Sequence, residues 1–317
     1  MSKRFIGARQ TTIAQEVVLA GKGVHGGSPV AITLHPAEAD AGIRFIVTNG
    51  HDTVAEFPAD FRSVTNATLC TVLSSPNGAS VATVEHLLAA LRGLCIDNVY
   101  IEIDSAEVPI MDGSAAPFVD AIDEVGIREL DAPRKFIKVL KPIRVEDGGC
   151  WGELIPHAGF HLDVEIEFDT PLIGRQRLSV ELNPGVFRAE LSRARTFGFM
   201  ADVEKLWASG RALGASLENT VAIGDNRVIN PEGLRYPNEF VRHKTLDAVG
   251  DLALSGAPLL AAYRSKRGGH RLNTLMLKSL FADPTAWTLV HAPRSRELQR
   301  GEAVFGGMSA TFAADRS

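Results

Sequence analysis

The sequence predicts an α+β fold of two similar two-layer α/β sandwich domains, on three observations. The chain has 317 residues, too long for one compact core and suited to two domains of ordinary size. In each half, strand-like runs lead into helix-like runs, and most strands alternate apolar with polar residues, the pattern of sheets with one solvated face. Between the halves lies Asp131-Ala132-Pro133-Arg134, a short polar segment with a proline. The domain boundary is placed there, dividing residues 1–131 from 132–317.

Taken in order, the first half shows strands at residues 16–19, 30–34 and 43–47 and a β-rich piece at 68–73. A helix follows at 82–94, then an alternating strand at 99–104 and a second helix at 115–125. Asp112-Gly113-Ser114 opens that second helix as a turn and N-cap. In the second half, strands fall at 136–145, 151–155, 160–168 and 178–182. They are followed by a helix at 239–254, a strand at 259–263 and a helix at 272–282. The repetition lies in element order rather than in residue identity.

Composition narrows the function classes. Hydrophobic residues make up 45% and charged residues 22% of the chain, as in ordinary globular proteins. No run reaches the roughly 18 apolar residues of a membrane helix, and the opening Met1-Ser2-Lys3-Arg4-Phe5 lacks the apolar core of a signal peptide. Cys70, Cys95 and Cys150 are scattered and odd in number, forming neither a disulfide framework nor a CxxC knuckle. A reducing, cytoplasmic compartment is expected. The net charge of −5 argues against a general nucleic-acid binder, while leaving room for a basic pocket around one phosphorylated ligand.

The most informative segment is the helix beginning at Asn238, a natural N-cap. Val241, Thr245, Val249 and Leu252 share a face that should pack on the sheet. His243, Asp247 and Asp251 recur every four residues along another stripe. An imidazole and a carboxylate one turn apart can chelate one metal ion, although such a stripe on its own reads first as the solvated side of an amphipathic helix. In Thr83-Val84-Glu85-His86-Leu87-Leu88, Glu85 and His86 are the only ionisable groups among apolar and small residues. Buried without partners they would carry a desolvation cost; a metal on His86 would relieve it and leave Glu85 to hold a water. The plainer reading of His86 is a hydrogen-bonded core histidine. His270, after Arg267-Gly268-Gly269, and His25, within Gly21-Lys22-Gly23-Val24-His25-Gly26-Gly27, stand in glycine-rich loops that fit no phosphate-binding fingerprint.

Together these pieces resemble one family over nearly the whole chain. The segments are Gly23-Val24-His25-Gly26, Thr83-Val84-Glu85-His86-Leu87 and Val108-Pro109-Ile110-Met111-Asp112-Gly113-Ser114-Ala115-Ala116-Pro117-Phe118. They continue with Ser192-Arg193-Ala194-Arg195-Thr196-Phe197-Gly198-Phe199, Phe240-Val241-Arg242-His243-Lys244-Thr245-Leu246-Asp247 and Gly269-His270. In this order they are similar to the UDP-3-O-acyl-N-acetylglucosamine deacetylases, zinc amidases of lipid A biosynthesis in Gram-negative bacteria.

The resemblance implies two α+β domains of similar topology with the active site between them, each with an insert. It implies hydrolysis of the 2-acetamido group of an acylated UDP-sugar, with release of acetate. His86, His243 and Asp247 take the positions of the ligands to one Zn²⁺, with Fe²⁺ as the alternative ion in the cell. Glu85 matches the general base and His270 the general acid or electrostatic partner, with either His270 or protonated Glu85 supplying the proton to the leaving amine. Asp251 matches an acid beside that histidine, and Thr196 a residue that helps hold the oxyanion. Lys244, Val24, His25 and Leu69 match substrate contacts. Phe197 matches an aromatic near the uridine, and Arg267 stands for a lysine near the diphosphate. The insert at about residues 193–230 corresponds to an acyl-chain passage including Val203, Leu213, Ala215 and Ser216. From its residues alone it reads as a small amphipathic helix and a loop, and Arg211, Asn219 and Thr220 are polar for a passage. The implied protein is a monomer without a nucleic-acid partner or stable membrane insertion. The rivals are a zinc amidase for another acetylated sugar nucleotide, and an inactive sugar-nucleotide- or RNA-binding relative.

Overall fold

The computed structural model describes residues 8–292 and 313–314. Its two halves repeat one sheet topology. In the first, the strand order is Val17–Lys22, Pro29–Pro36, Val99–Ile103, Ile43–Asn49, Asp52–Pro58. Val99–Ile103, the last of these in sequence, enters the middle, antiparallel to Pro29–Pro36 and parallel to Ile43–Asn49. The second half repeats this with Ile143–Asp147, Cys150–Pro156, Leu259–Lys266, Phe160–Glu167 and Arg175–Glu181. Lys135–Val139, Trp287–His291 and Ala313–Ala314 extend that sheet beside the start of Leu259–Lys266.

A parallel middle strand needs a crossover connection, and in each half a small insert and a helix supply it. In the first, Val64–Asn66, Val72–Ser74 and Ser80–Val81 form a three-stranded sheet before helix α1 (Glu85–Gly93). Helix α2 (Ala116–Val125) follows the middle strand. In the second, the crossover holds a single turn, α3 (Pro184–Val186), then α4 (Met200–Ala208) and the sheet Phe197–Phe199, Val221–Gly224, Arg227–Val228. It ends in α5 (Glu239–Ala253), and α6 (His270–Ala282) follows the middle strand.

Alternation works as expected where one sheet face meets the core: Pro29–Pro36 buries Val30, Ile32 and Leu34, and Val99–Ile103 buries Val99, Ile101 and Ile103. Helix α5 packs on Phe160–Glu167 and Arg175–Glu181, and α6 on Ile143–Asp147 and Cys150–Pro156. The halves meet helix to helix, α1 against α5, and one apolar cluster runs through both. Gly250 permits this approach, because a Cβ there would lie 2.0 Å from the Glu85 carbonyl oxygen.

Several local expectations change. The run at 136–145 is two strands, Lys135–Val139 and Ile143–Asp147, since the chain turns at Leu140-Lys141-Pro142 and proline cannot continue the ladder. The β-rich piece at 68–73 is irregular until Val72–Ser74. Asn238 stands at the N-cap of α5 but does not cap it; its Oδ1 accepts from Arg242 Nε at 2.7 Å. Asp112-Gly113-Ser114 does form the turn, with Ser114 Oγ accepting from Ala116 N, although Ala115 is the cap residue. The stripe on α5 is not solvated, because α1 covers it: His243, Asp247 and Asp251 are all buried. The second insert contains three strands besides its helix and loop.

Candidate metal centre

The close approach of α1 and α5 brings three expected ligands together. His86, His243 and Asp247 each offer an atom within 4.8 Å of the others, and all three are buried. His243 and Asp247 stand one helical turn apart on α5, with Nε2 3.3 Å from Oδ1. His86, in the first turn of α1, places Nε2 3.7 Å from the same oxygen. The ring planes of the two histidines stand at 81° to each other with centroids 5.0 Å apart.

Hydrogen bonding leaves the facing atoms free. His243 Nδ1 lies 3.0 Å from the Ala194 carbonyl, so it carries the proton and Nε2 presents a lone pair. Asp247 Oδ2 accepts from Lys244 Nζ at 2.7 Å, whereas Oδ1 is buried without a hydrogen-bond partner. On His86 the buried, unpartnered atom is Nδ1, while Nε2 is the nitrogen placed 3.7 Å from Asp247 Oδ1. An unsatisfied buried carboxylate oxygen is costly, and a cation at Asp247 Oδ1 removes that cost. Proton affinities agree. Burial, then neighbouring His243, pushes His86 down to about 3, so the ring is neutral and able to ligate. Burial alone would raise Asp247; His243 and Lys244 outweigh it and hold the carboxyl far below its usual range.

A second layer lies against these atoms. Glu85, adjacent to His86, is pushed up to about 7 by burial, against the opposing pull of His270. His270 Nε2 lies 3.8 Å from Glu85 Oε1 and 4.0 Å from Asp247 Oδ2. Its Nδ1 donates to Asp251 Oδ2 at 2.9 Å. Burial lowers His270, but the Asp251 and Glu85 carboxylates prevail and raise it to about 9.

Thr71, Asn273 and Tyr263 belong to this network and were missed in the sequence. Thr71 donates its backbone N–H to Glu85 Oε2 at 3.0 Å and its hydroxyl to Asp251 Oδ1 at 2.6 Å. Asn273 donates to Asp251 Oδ2 at 2.7 Å and accepts from Tyr263 Oη at 2.5 Å. Asn273 follows His270 by one helical turn, a spacing that could have flagged it; nothing in the sequence distinguishes Thr71.

The expected substrate residues fall into groups. Leu69, Lys244 and Arg267 line a cavity of about 280 Å³ with His270. Val24 and His25 meet the second insert: the Leu213 and Gly214 N–H groups donate to the carbonyls of His25 and Val24, both at 3.0 Å. Ala215 and Ser216 continue from that contact, with Ser216 Oγ buried and unpartnered. Phe197 packs edge-on to His243 and Phe240. Thr196 follows two residues after Ala194, its N–H on the Gly113 carbonyl at 2.8 Å. Val203 lies on α4, which buries none of its residues.

Two imidazoles and a carboxylate with free facing atoms, beside a buried carboxylate and a charged imidazole, define a metal-dependent hydrolase. The profile of one family, UDP-3-O-acyl N-acetylglycosamine deacetylase, matches residues 10–282, and the chain belongs to that family. It is 51% identical over 286 residues to proteins named UDP-3-O-acyl-N-acetylglucosamine deacetylase from Brucella ovis and Brucella canis, covering 90% of this chain and 99% of each relative. The similarly named protein of Brucella melitensis biotype 2 matches at the same identity and coverage. Among the described residues, no helix is long and apolar enough to cross a membrane.

Proposed function

We propose that the protein hydrolyses the 2-acetamido group of UDP-3-O-(3-hydroxyacyl)-N-acetylglucosamine, releasing acetate and the free amine, as an early committed step of lipid A biosynthesis. It acts as a cytoplasmic monomer whose domains divide at residues 131 and 132. The observation that carries this reading is the meeting of His86 and His243 at the unpartnered Oδ1 of Asp247, beside Glu85.

Zn²⁺ is the ion proposed, since imidazole and carboxylate ligands suit it. Bound by these residues, it supplies Lewis acidity, lowering the pKa of a water to about 7 and polarising the amide oxygen. Glu85 takes the proton of the attacking water, its own affinity lifted toward neutrality by burial. The Thr196 hydroxyl donates to the developing oxyanion, a contact worth about 3 kcal/mol in preorganised sites. His270, held protonated by Asp251, hands its proton to the leaving amine, because an amide anion is too poor a leaving group. Lys244 and Arg267 line the cavity beside His270, where Lys244 contacts the substrate and Arg267 approaches the diphosphate, while Leu69 borders the same space. Phe197 contacts the uridine. Val203, Leu213, Ala215 and Ser216 guide the acyl chain, and Val24 and His25 contact the substrate.

The test is metal analysis of the purified protein paired with an assay of acetate released from the acylated UDP-sugar. One equivalent of zinc and activity lost on chelation are expected. His243→Ala should purify without metal; full zinc content in that variant would overturn the ligand set.

A further inference from the structure

Glu107 takes no part in the chemistry above, yet it is buried where three segments meet. Its Oε1 accepts from the His25 N–H and from Thr83 Oγ1, and its Oε2 from the Gly26 N–H, each at 2.9 Å. Its backbone is fixed as well, by a parallel bridge to Ala82. We propose that Glu107 is a positioning residue: its carboxylate ties the loop of residues 23–27 to the turn that begins α1, and so seats the second insert beside the metal centre.

Three further observations support this. Gly23 lies so close that a Cβ would sit 2.2 Å from Glu107 Oε2, so the loop is wrapped directly on the carboxylate. The same loop holds the insert through the carbonyls of Val24 and His25, and a Cβ on Gly214 would lie 2.1 Å from the Gly23 carbonyl oxygen. On the other side Thr83 has φ of 58°, unusual for a β-branched residue. Its hydroxyl bond to Glu107 holds that conformation two residues before Glu85. One carboxylate thus couples the start of the catalytic helix to the segment carrying Leu213, Ala215 and Ser216.

The kinetic part rests on the deacetylase reading; the structural part does not. Glu107→Gln keeps the volume but turns an NH₂ group toward at least one of the three donors, since a carboxamide has only one acceptor oxygen. In the full-length, metal-loaded protein, KM for the acylated UDP-sugar should rise about tenfold and kcat change less than about threefold, with metal content unchanged. By hydrogen exchange, the amides of His25, Gly26, Leu213 and Gly214 should open about tenfold faster while Leu88 and Leu94 in and after α1 keep their protection. Unchanged exchange at those four amides overturns the proposal, as does equal acceleration throughout the first sheet, which marks a merely structural role. Gly214→Ala, which parts the two loops without touching Glu107, should reproduce the KM rise; an unaltered KM also counts against the proposal. If the wild-type protein releases no acetate, the deacetylase reading fails and the exchange measurement alone decides.

Discussion

Helices α1 and α4 are each nine residues long, and their fates are opposite. Every residue of α1 is buried, Glu85, His86 and Arg92 included; no residue of α4 is. The difference lies in what faces each helix. Helix α1 is clamped between α5, which approaches at Gly250, and Phe187, whose ring fills the space that Gly93 leaves. Helix α4 touches chiefly the insert strands Phe197–Phe199 and Val221–Gly224, and it leaves Met200 and Trp207 46% and 56% exposed. Burial shifts the proton affinities of Glu85 and His86 on the clamped helix, Glu85 up to about 7 and His86 down to about 3. Apolar side chains left in water, such as Met200 and Trp207, are available to a ligand, which is what the proposed acyl passage requires.

The contrast can be broken in graded ways. Glu85→Ala should lower turnover about a thousandfold while the metal stays bound; near-normal rates would show that the clamped helix carries no base. Gly250→Ala drives a Cβ onto the α1 backbone and should destabilise the protein by about 3 kcal/mol in urea unfolding; unaltered stability would mean that α1 is not clamped. The buried network should also leave a pH signature in the metal-free protein. His270 is raised from 6.5 to about 9 on folding, so its contribution to stability is complete below 6.5 and disappears as pH rises through about 9. His270→Asn should flatten unfolding free energy over that window; an identical slope would remove the Asp251–His270 ion pair from the account. The smallest effect belongs to α4. Trp207→Ala should change stability by less than about 0.5 kcal/mol while weakening binding of the acylated substrate, and a large loss of stability would erase the distinction between the helices.

Much of the fold was legible because its signals are local. Alternation located the strands at 30–34 and 99–104 to within two residues at each end, and helical periodicity located α2 and α5. Strands without that contrast, such as Arg9–Ile13, Asp52–Pro58 and Ile127–Pro133, went unseen. In the site, His243 and Asp247 announce themselves by sharing one face of a helix. Thr71 does not, because its role depends on Glu85 and Asp251 arriving from two other elements.

The sequence by itself determined the alternating and helical periodicities, the repeated order of elements, and the pairing of an imidazole with a carboxylate one turn apart. Only the tertiary structure decided that the polar stripe of α5 faces inward, that His86 reaches the same oxygen as His243, and that Thr71 joins Glu85 to Asp251. Periodicity is encoded among near neighbours in the chain. Burial and convergence depend on which surfaces meet, and here that was settled where a glycine let one helix backbone touch another.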